Sequence, residues 1–278
     1  MMRIKRIALL LGLMVTLTLG YGQGDLLVSP TRIVFEGKKM NQEIVLVNTD
    51  RDTATYNVSF IQNRATEYGS YERIETPDPG QHFASDHVRF FPRKFTLAPN
   101  EPQILRMQFR RTPDLTDGEY RSHLYFRSEP QKRELGAETD ADDEASGINI
   151  NLIPIYGISI PVIIRYGEVN VNITSTEPEL EMKNDSTALL RFTLMREGNC
   201  SVYGNMNILY DGPGNRSEIL KVLNGVSVFT PNPFRKFEIE FPKPPDVDFS
   251  TGKITVRYSS SNDAKPETYV TKVLQLGS

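Results

Sequence analysis

The side chains that most often carry out chemistry in proteins are few in this chain. There are three histidines, and His82 and His87 lie five positions apart in a loop, a spacing that matches no common zinc motif. His123 alternates with apolar residues, which predicts a position on the polar face of a strand. We interpret all three as solvated surface residues, and the alternative is a catalytic base or a metal ligand.

Motifs for nucleophilic, phosphate or metal chemistry are also missing from the sequence. It contains no G-x-S-x-G elbow, no P-loop, no H-E-x-x-H and no paired C-x-x-C. Cys200 is the only cysteine, so we interpret it as a small, semi-buried residue of a strand rather than a reactive thiol. Asp142, Asp143 and Glu144 could hold a cation loosely, but a charged run in a loop is more often simply solvated. The sequence therefore predicts no enzymatic activity, no catalytic residue, no cofactor and no metal site.

The first 22 residues have the pattern of a cleavable signal peptide. Arg3, Lys5 and Arg6 form a basic start, and residues 7–19 form an apolar run that is short for a membrane span. Small residues at its end predict cleavage after Gly22, and an uncleaved anchor is the alternative. No cysteine follows the run, which argues against a lipoprotein. The sequence thus predicts export and a periplasmic location.

The charge balance gives no case for binding nucleic acid. Cleavage removes three of the 32 Lys and Arg residues and leaves 29 basic against 35 acidic residues, a net charge of about −6. The remaining 256 of the 278 residues are enough for one large domain or for two smaller ones.

The elements that would position any site are predicted to be strands, because the dominant period of the apolar pattern is two. In residues 103–110, Leu105, Met107 and Phe109 fall on one face and polar residues fall on the other. No segment of ten or more residues shows a helical apolar stripe. The predicted strands are 32–35, 43–47, 56–60, 88–91, 103–110 and 120–127, followed by 169–173, 189–195, 206–210, 226–228, 236–241, 253–258 and 269–276. Short strands separated by turns predict an all-β fold.

Two segments interrupt this alternation. Residues 128–147 are rich in Asp and Glu, and they predict a long acidic loop that is either functional or disordered. Residues 148–164 are the most apolar stretch after the signal and contain Pro154 and Pro161. Proline cannot donate to a ladder, so this stretch is predicted as an edge strand or as a strand that bends where it changes partners. With the boundary placed near Gly167, the predicted domains are two β-sandwiches in series, 23–166 and 167–278.

Several segments together resemble the periplasmic pilus (fimbrial) assembly chaperones of the chaperone–usher pathway. They are LVSPTRIVFEG at 27–37, VNT at 47–49, FPRKFTLAP at 91–99, QILR at 103–106, DGEYRSHL at 117–124, ISIPVIIR at 158–165 and, more weakly, GVSVFTPN at 225–232. Their order and spacing carry the resemblance, which covers most of the mature chain. It implies two immunoglobulin-like β-sandwich domains arranged as an L with a cleft between them.

The resemblance also implies a function and a binding site. Such chaperones bind an unfinished pilin subunit and supply its missing strand from their own edge. In the family, a first-strand arginine and a lysine near the end of the edge strand hold the subunit's terminal carboxylate. The arginine matches Arg32, whose alternative role is a structural salt bridge or a rim charge. The lysine position falls on or near Pro161, and residues 158–164 contain no lysine. Either another cation helps Arg32 or the client is anchored differently.

The predicted donor edge strand carries Ile148, Ile150, Leu152 and Tyr156. Its apolar positions alternate with asparagines and carry no charge, which is hard to explain unless a partner covers the edge. The alternatives are that these side chains fill the protein's own core or pair with a second copy in a self-capping dimer. Arg165 ends an apolar strand at the domain junction, and we interpret it as part of a structural ion pair between the domains.

The sequence therefore favours a periplasmic chaperone for pilus or surface-fibre subunits. The expected partners are pilin-like subunits, and an outer-membrane usher is a further candidate. The alternative function is a structural or adhesive tandem β-sandwich protein of a surface assembly, for which residues 23–29 make a short and polar donor extension. A carbohydrate-binding module is disfavoured because the chain has no tryptophan.

Overall fold

The computed structural model describes residues 26–130, 155–245, 247–261 and 266–277, and its regular structure is almost entirely β-strand. Strands β1 to β10 are Leu26–Ser29, Ile33–Glu36, Asn41–Asn48, Ala54–Ala65, Tyr71–Ile74, Val88–Phe91, Lys94–Leu97, Pro102–Phe109, Gly118–Ser128 and Gly157–Tyr166. Strands β11 to β18 are Val171–Ser175, Glu179–Asn184, Thr187–Gly198, Val202–Gly212, Arg216–Val228, Phe234–Pro242, Lys253–Ser260 and Thr268–Gln275. Short 3₁₀ turns lie at Ala84–Asp86 and Pro213–Asn215. Within these ranges no helix is long and apolar enough to cross a membrane.

The first ten strands form a β-sandwich. One sheet has the order β1-β3-β8-β6, and the other has the order β2-β10-β9-β4-β5 with β7 also paired to β4. Side chains of both sheets meet in one core, in which Phe35, Leu105 and Phe126 are almost completely buried. Each such side chain contributes about 1.5–3 kcal/mol to stability by leaving water.

The last eight strands form a second sandwich with a core of its own. Its sheets have the orders β11-β13-β12, with β16 also paired to β13, and β15-β14-β17-β18. Its core includes the fully buried Leu190, Ile208 and Tyr258. The predicted fold class, all-β with two sandwiches in series, is confirmed. The exact domain limits, including a boundary near Gly167, stay a proposal.

Alternation in the sequence matches the burial of some strands but not of β9. In β8, Leu105, Met107 and Phe109 are buried while Arg106 is exposed, as predicted. In β9 every residue from Gly118 to Leu124 is buried, so both faces of this strand are covered. The prediction that His123 lies on a polar, solvent-facing side of this strand is wrong, because Tyr71 of β5 and residues of the second sandwich pack on this face.

Strand β10 changes partners along its length. It pairs with β9 throughout, and from Val162 to Arg165 it also pairs with β2, in parallel. Among the described strands, residues 157–161 have a neighbour on one side only. Pro161 lies where the second neighbour begins, which fits a residue that cannot donate to a full ladder.

Most predicted strands are present with wider limits, whereas β1, β5, β7 and β12 are absent from the predicted strands. Ser128 was assigned to the acidic loop but is the last residue of β9, and Glu129 accepts hydrogen bonds from Lys94 (2.6 Å) and Asn57 (2.8 Å). Residues 131–147 of that loop, Pro154 and the signal peptide lie outside the described residues.

Candidate functional site

The two sandwiches meet at a surface that we call the junction. On the first sandwich it consists of Glu119, Arg121 and His123, the alternate residues of β9 that point away from the core. On the second sandwich it consists of Ser201, Tyr203, Phe229 and Thr230. Arg32 reaches the junction from the residue before β2, and Tyr71 reaches it from the start of β5.

One edge of the junction is a satisfied ionic network around Glu119. This carboxylate is 3% exposed and accepts hydrogen bonds from the backbone N–H of Ser201 (2.9 Å) and from the Ser201 hydroxyl. Arg165 lies 3.4 Å from Glu119 through Nε and donates Nη2 to the Ser201 carbonyl at 2.8 Å. Glu36 adds a weaker contact to Arg165 at 3.9 Å. Arg165 thus pairs with a carboxylate of its own sandwich and reaches a carbonyl of the other.

Arg32 is only partly satisfied at the junction. Its guanidinium carbon lies 4.4 Å from the centre of the Tyr203 ring and 5.9 Å from that of Phe229. Its Nη1 atom is buried and has no hydrogen-bond partner. Burial lowers the pKa of Arg32, with Glu119 opposing that effect, yet a guanidinium keeps its charge at neutral pH.

Arg121 is the least satisfied cation of the junction. The residue is 2% exposed, and both its Nε and its Nη1 lack hydrogen-bond partners. Its remaining nitrogen makes one long hydrogen bond, 3.4 Å to the carbonyl of Thr230, and its guanidinium carbon lies 4.1 Å from the centre of the Phe229 ring. Burial lowers the pKa of Arg121, as expected for a charge held away from water.

His123 stays neutral beside this cation. Both ring nitrogens are buried without hydrogen-bond partners, and the ring packs edge-on against Tyr71 at 5.2 Å. Burial, and secondarily the charge of Arg121, lower the pKa of His123 from 6.5 to about 3. The prediction that His123 is a solvated surface residue is therefore wrong.

His87 is also buried, at 7% exposure, and its ring nitrogen Nδ1 shares a hydrogen bond with the Thr112 hydroxyl at 2.9 Å. The surface assignment of His87 is therefore wrong as well, whereas His82 is exposed. The sequence shows each histidine next to polar residues but does not show which element of the fold covers it.

A third arginine approaches the junction from the second sandwich. Arg235 of β16 donates Nη1 to the carbonyl of Ser227 at 2.9 Å, and its Nε is buried without a partner. Tyr71 lies close enough to Arg32, Arg121 and Arg235 for all three charges to act on its phenol. In the described part of the chain no ion pair joins any of the three arginines to a carboxylate.

This arrangement is suited to binding an anion. Buried charged groups are normally paired, and an unpaired donor costs free energy that a ligand can recover. Guanidinium groups match carboxylates because their parallel N–H groups can bind both oxygens. Arg32 and Arg121 together offer three buried donor atoms without partners. We call Arg32 and Arg121 the arginine pair.

Comparisons with known proteins return structures but no sequence family. No protein-family model and no curated protein matches the chain. Many solved structures with a related fold are chaperones of the fimbrial chaperone–usher pathway, and these matches cover about 90% of the chain. The family that the sequence segments resemble is also the family of these structures.

Three of these structures illustrate the similarity. One is the Pseudomonas aeruginosa CupB2 chaperone, with 13% identity, a TM-score of 0.44 and coverage of 90% of this chain and 100% of that one. Another is the CsuC–CsuE chaperone–tip adhesion subunit complex of Acinetobacter baumannii, with 12% identity, a TM-score of 0.44 and coverage of 91% and 98%. The Salmonella enterica SafA pilin–SafB chaperone complex gives 14% identity, a TM-score of 0.43 and coverage of 92% and 98%.

The residues predicted from the sequence are only partly brought together. Arg32 lies at the junction, and Arg165 lies next to it in the Glu119 network; the roles assigned to both stay predictions. Ile148, Ile150 and Leu152 lie outside the described residues. Tyr156 is described and is 40% exposed, and its backbone carbonyl accepts a hydrogen bond from the Ser128 N–H at 2.9 Å.

Sequence reasoning missed Arg121 and Arg235. Arg121 enters the sequence analysis only within the segment DGEYRSHL at 117–124, and Arg235 is not singled out there. No local signal marks Arg121, because Glu119 lies two positions before it on the same face of the strand and is an ordinary candidate for its partner. That Arg121 lacks a carboxylate partner becomes visible only once the junction is known.

The interpretation of Cys200 as a semi-buried strand residue is wrong, because Cys200 lies in the bend between β13 and β14 and is buried. The side chain is 4% exposed, and its Sγ donates to the Asn170 carbonyl at 3.4 Å. Burial raises the pKa of the thiol, which disfavours the reactive thiolate. No group of three or more metal-ligating side chains lies close together in the residues that the structure describes.

Proposed function

We propose that this protein is a non-catalytic periplasmic chaperone that binds unfinished subunits of pili or related surface fibres. The observation that carries the proposal is Arg121, a 2% exposed cation with two buried donor atoms and no carboxylate partner. A folded protein tolerates such a group when a ligand completes it. The ligand proposed here is the C-terminal carboxylate of the client subunit, bound by the arginine pair.

Arg121 supplies the second cation that the resemblance leaves unassigned. The lysine expected on the edge strand is missing near Pro161, and the neighbouring β10 residue on the same face is Ile163. Ile163 is directly opposite Arg121 in the β9–β10 ladder. Cross-strand neighbours have Cβ atoms about 5 Å apart, so a long side chain on β9 can place its charge where a lysine at the opposite position of β10 would place its own. We infer that the cation is carried by β9 instead of β10.

The edge of β10 supports the strand-donation part of the proposal. Residues 157–161 pair with β9 alone, so their other edge is open to an added strand among the described elements. Ile160 points into the first core and anchors the strand, while the open edge offers backbone hydrogen bonds. The donor positions Ile148, Ile150 and Leu152 lie upstream of this edge, and their role in filling the client's groove is part of the proposal.

Capture of the client in the periplasm tests the proposal. A C-terminally tagged chain is purified from periplasmic extract, its intact mass checks cleavage after Gly22, and bound proteins are identified by mass spectrometry. Arg32→Ala and Arg121→Gln should each weaken binding of the purified client by about 10- to 100-fold, because a charge-assisted hydrogen bond is worth about 1.5–3 kcal/mol. Arg89→Ala is the matched control, since Arg89 is an exposed arginine of β6.

The client itself provides the decisive comparison. Adding one residue to the client's C-terminus should displace its carboxylate and weaken binding as much as Arg121→Gln does. Equal binding by folded Arg32→Ala and Arg121→Gln variants would refute the anchor. An unfolded Arg32→Ala variant would instead support a structural role for Arg32, and recovery of the chain in fibres would favour the structural or adhesive alternative.

A further inference from the structure

A cavity of about 170 Å³ lies beside the arginine pair. One wall is the hairpin of β4 and β5, with Gly69 in its turn and Tyr71 at the start of β5, and the other wall is the end of β15, the connection that follows it and the start of β16. Phe229 and Arg235 complete the lining next to the pair. A dry cavity of about 150 Å³ can hold a benzene ring, so this cavity has room for one amino-acid side chain.

The hairpin is fixed to the second sandwich without help from a ligand. The Lys236 N–H donates to the Glu67 carbonyl at 2.7 Å, and the two side chains form an ion pair at 3.0 Å. Asn232 donates its side-chain amide to the Ala65 carbonyl at 2.7 Å. The walls of the cavity are therefore already in place before a client binds.

Arg235 is the charged group of this cavity, and it has no acidic partner there. No carboxylate is among the lining residues, and the buried Nε of Arg235 has no hydrogen-bond partner. The guanidinium also lies 4.8 Å from the Phe237 ring centre, which fixes its plane. Gly69 makes room for it, because a Cβ at that position would lie 2.1 Å from the guanidinium carbon.

Two aromatic side chains line the cavity and also lie next to the arginine pair. Phe229 and Tyr71 line the cavity, and they are also the rings nearest to Arg121 and His123. A peptide whose terminal carboxylate is held by the arginine pair would therefore bring its last side chains next to Arg235. The positive charge there is not balanced by a described carboxylate.

We propose that this cavity binds the acidic side chain of an aspartate or glutamate at the last or penultimate position of the client. The proposal rests on the proposed function, because it assumes that the client's C-terminus occupies the arginine pair. Arg235 then selects among clients, whereas the arginine pair recognises the terminus that every client has.

Synthetic peptides test the two sites separately. The probes are acetylated hexapeptides of alternating valine and threonine with Glu, Gln or Phe at the last or penultimate position, each with a free or an amidated terminus. Calorimetry on the intact mature protein should show that Glu peptides with a free terminus bind about 10-fold or more tighter than their Gln counterparts. Arg235→Gln should abolish that preference and keep the need for a free terminus. Arg121→Gln should abolish the need for a free terminus and keep the preference for Glu.

The outcomes separate this inference from the proposed function. Equal binding of Glu and Gln peptides, a preference for Phe, or an unchanged preference in Arg235→Gln would overturn the acidic pocket while the free-terminus requirement remains. Equal binding of free and amidated peptides, or no binding by any peptide, would count against both. Arg235→Lys keeps the charge and should retain part of the Glu preference, which excludes a loss caused only by misfolding.

Discussion

Replacing Arg121 by methionine should make the unliganded protein more stable and at the same time weaken its binding of clients. Arg121 holds a charge at 2% exposure with two unpaired donors. Methionine has a similar unbranched length and no charge, and its sulfur can keep a contact with Phe229. Most buried substitutions destabilise, so a gain in stability would be specific to a site that is incomplete without its ligand.

The magnitude follows from the contacts of Arg121. Burying a charge costs several kcal/mol after relaxation. The contact with the Phe229 ring at 4.1 Å offsets about 2 kcal/mol of this cost, and the 3.4 Å hydrogen bond to Thr230 offsets little of it. We therefore expect Arg121→Met to raise the free energy of unfolding by about 1–3 kcal/mol, or a few degrees in the thermal midpoint.

Urea unfolding followed by far-UV circular dichroism measures this effect without a tryptophan signal, which the chain lacks. The midpoint should rise with little change in the slope, since the same surface is exposed on unfolding. Arg89→Met, on an exposed β6 residue, should stay within about 0.5 kcal/mol of the native protein. A clear loss of stability in Arg121→Met, together with unchanged client binding, would show that Arg121 is a structural residue.

Three further predictions concern the surroundings of the arginine pair. The pKa of His123 is about 3 in the folded protein, so the unfolded chain binds one more proton below pH 6.5, and stability should fall by about 1.4 kcal/mol per pH unit from 6.5 towards 4. Urea unfolding across that range should show a shallower fall for His123→Gln, and an unchanged slope would contradict a neutral buried His123. Gly69→Ala should cost about 1–2 kcal/mol, because φ is +84° and the new Cβ meets Arg235; Gly37→Ala, at φ +60° with open space, should cost only the smaller backbone part in the same assay. Glu119→Gln should cost about 3 kcal/mol in urea unfolding, because Arg165 loses its buried carboxylate, and a native midpoint would show that the network contributes nothing.

Much of the fold could be predicted from the sequence because many strands alternate strictly. In β8 the apolar side of the pattern is the core side, and the register follows from it. Two of the missed strands have little apolar signal: β5 and β12 are largely exposed, and β12 carries charged residues on an edge. The other two, β1 and β7, alternate but have only four residues each, which is too short for the period to stand out. Such strands form because a neighbour supplies the ladder, which alternation alone does not show.

The site was less predictable than the fold. Arg32 could be found because it lies in a segment that resembles a known family. Arg121 and His123 alternate with core residues just as solvent-facing residues do, and only distant parts of the chain cover them: Phe229 of the second sandwich covers Arg121, and Tyr71 of β5 packs on His123. The position of Arg235 depends on its contact with Gly69, in a hairpin 166 positions earlier in the chain. No local sequence pattern indicates such a contact.

The hairpin between β4 and β5 has a consequence for how the molecule moves. It fixes the second sandwich through Glu67 and Ala65, while Glu119 and Arg165 fix it elsewhere through Ser201. A domain held by a single contact can rotate about that contact. Rotation of the second sandwich about any one of these contacts would break another. The angle between the sandwiches is therefore established when the chain folds. A client then meets a site of fixed width, and its association rate should depend on collision and orientation rather than on a slow closing motion.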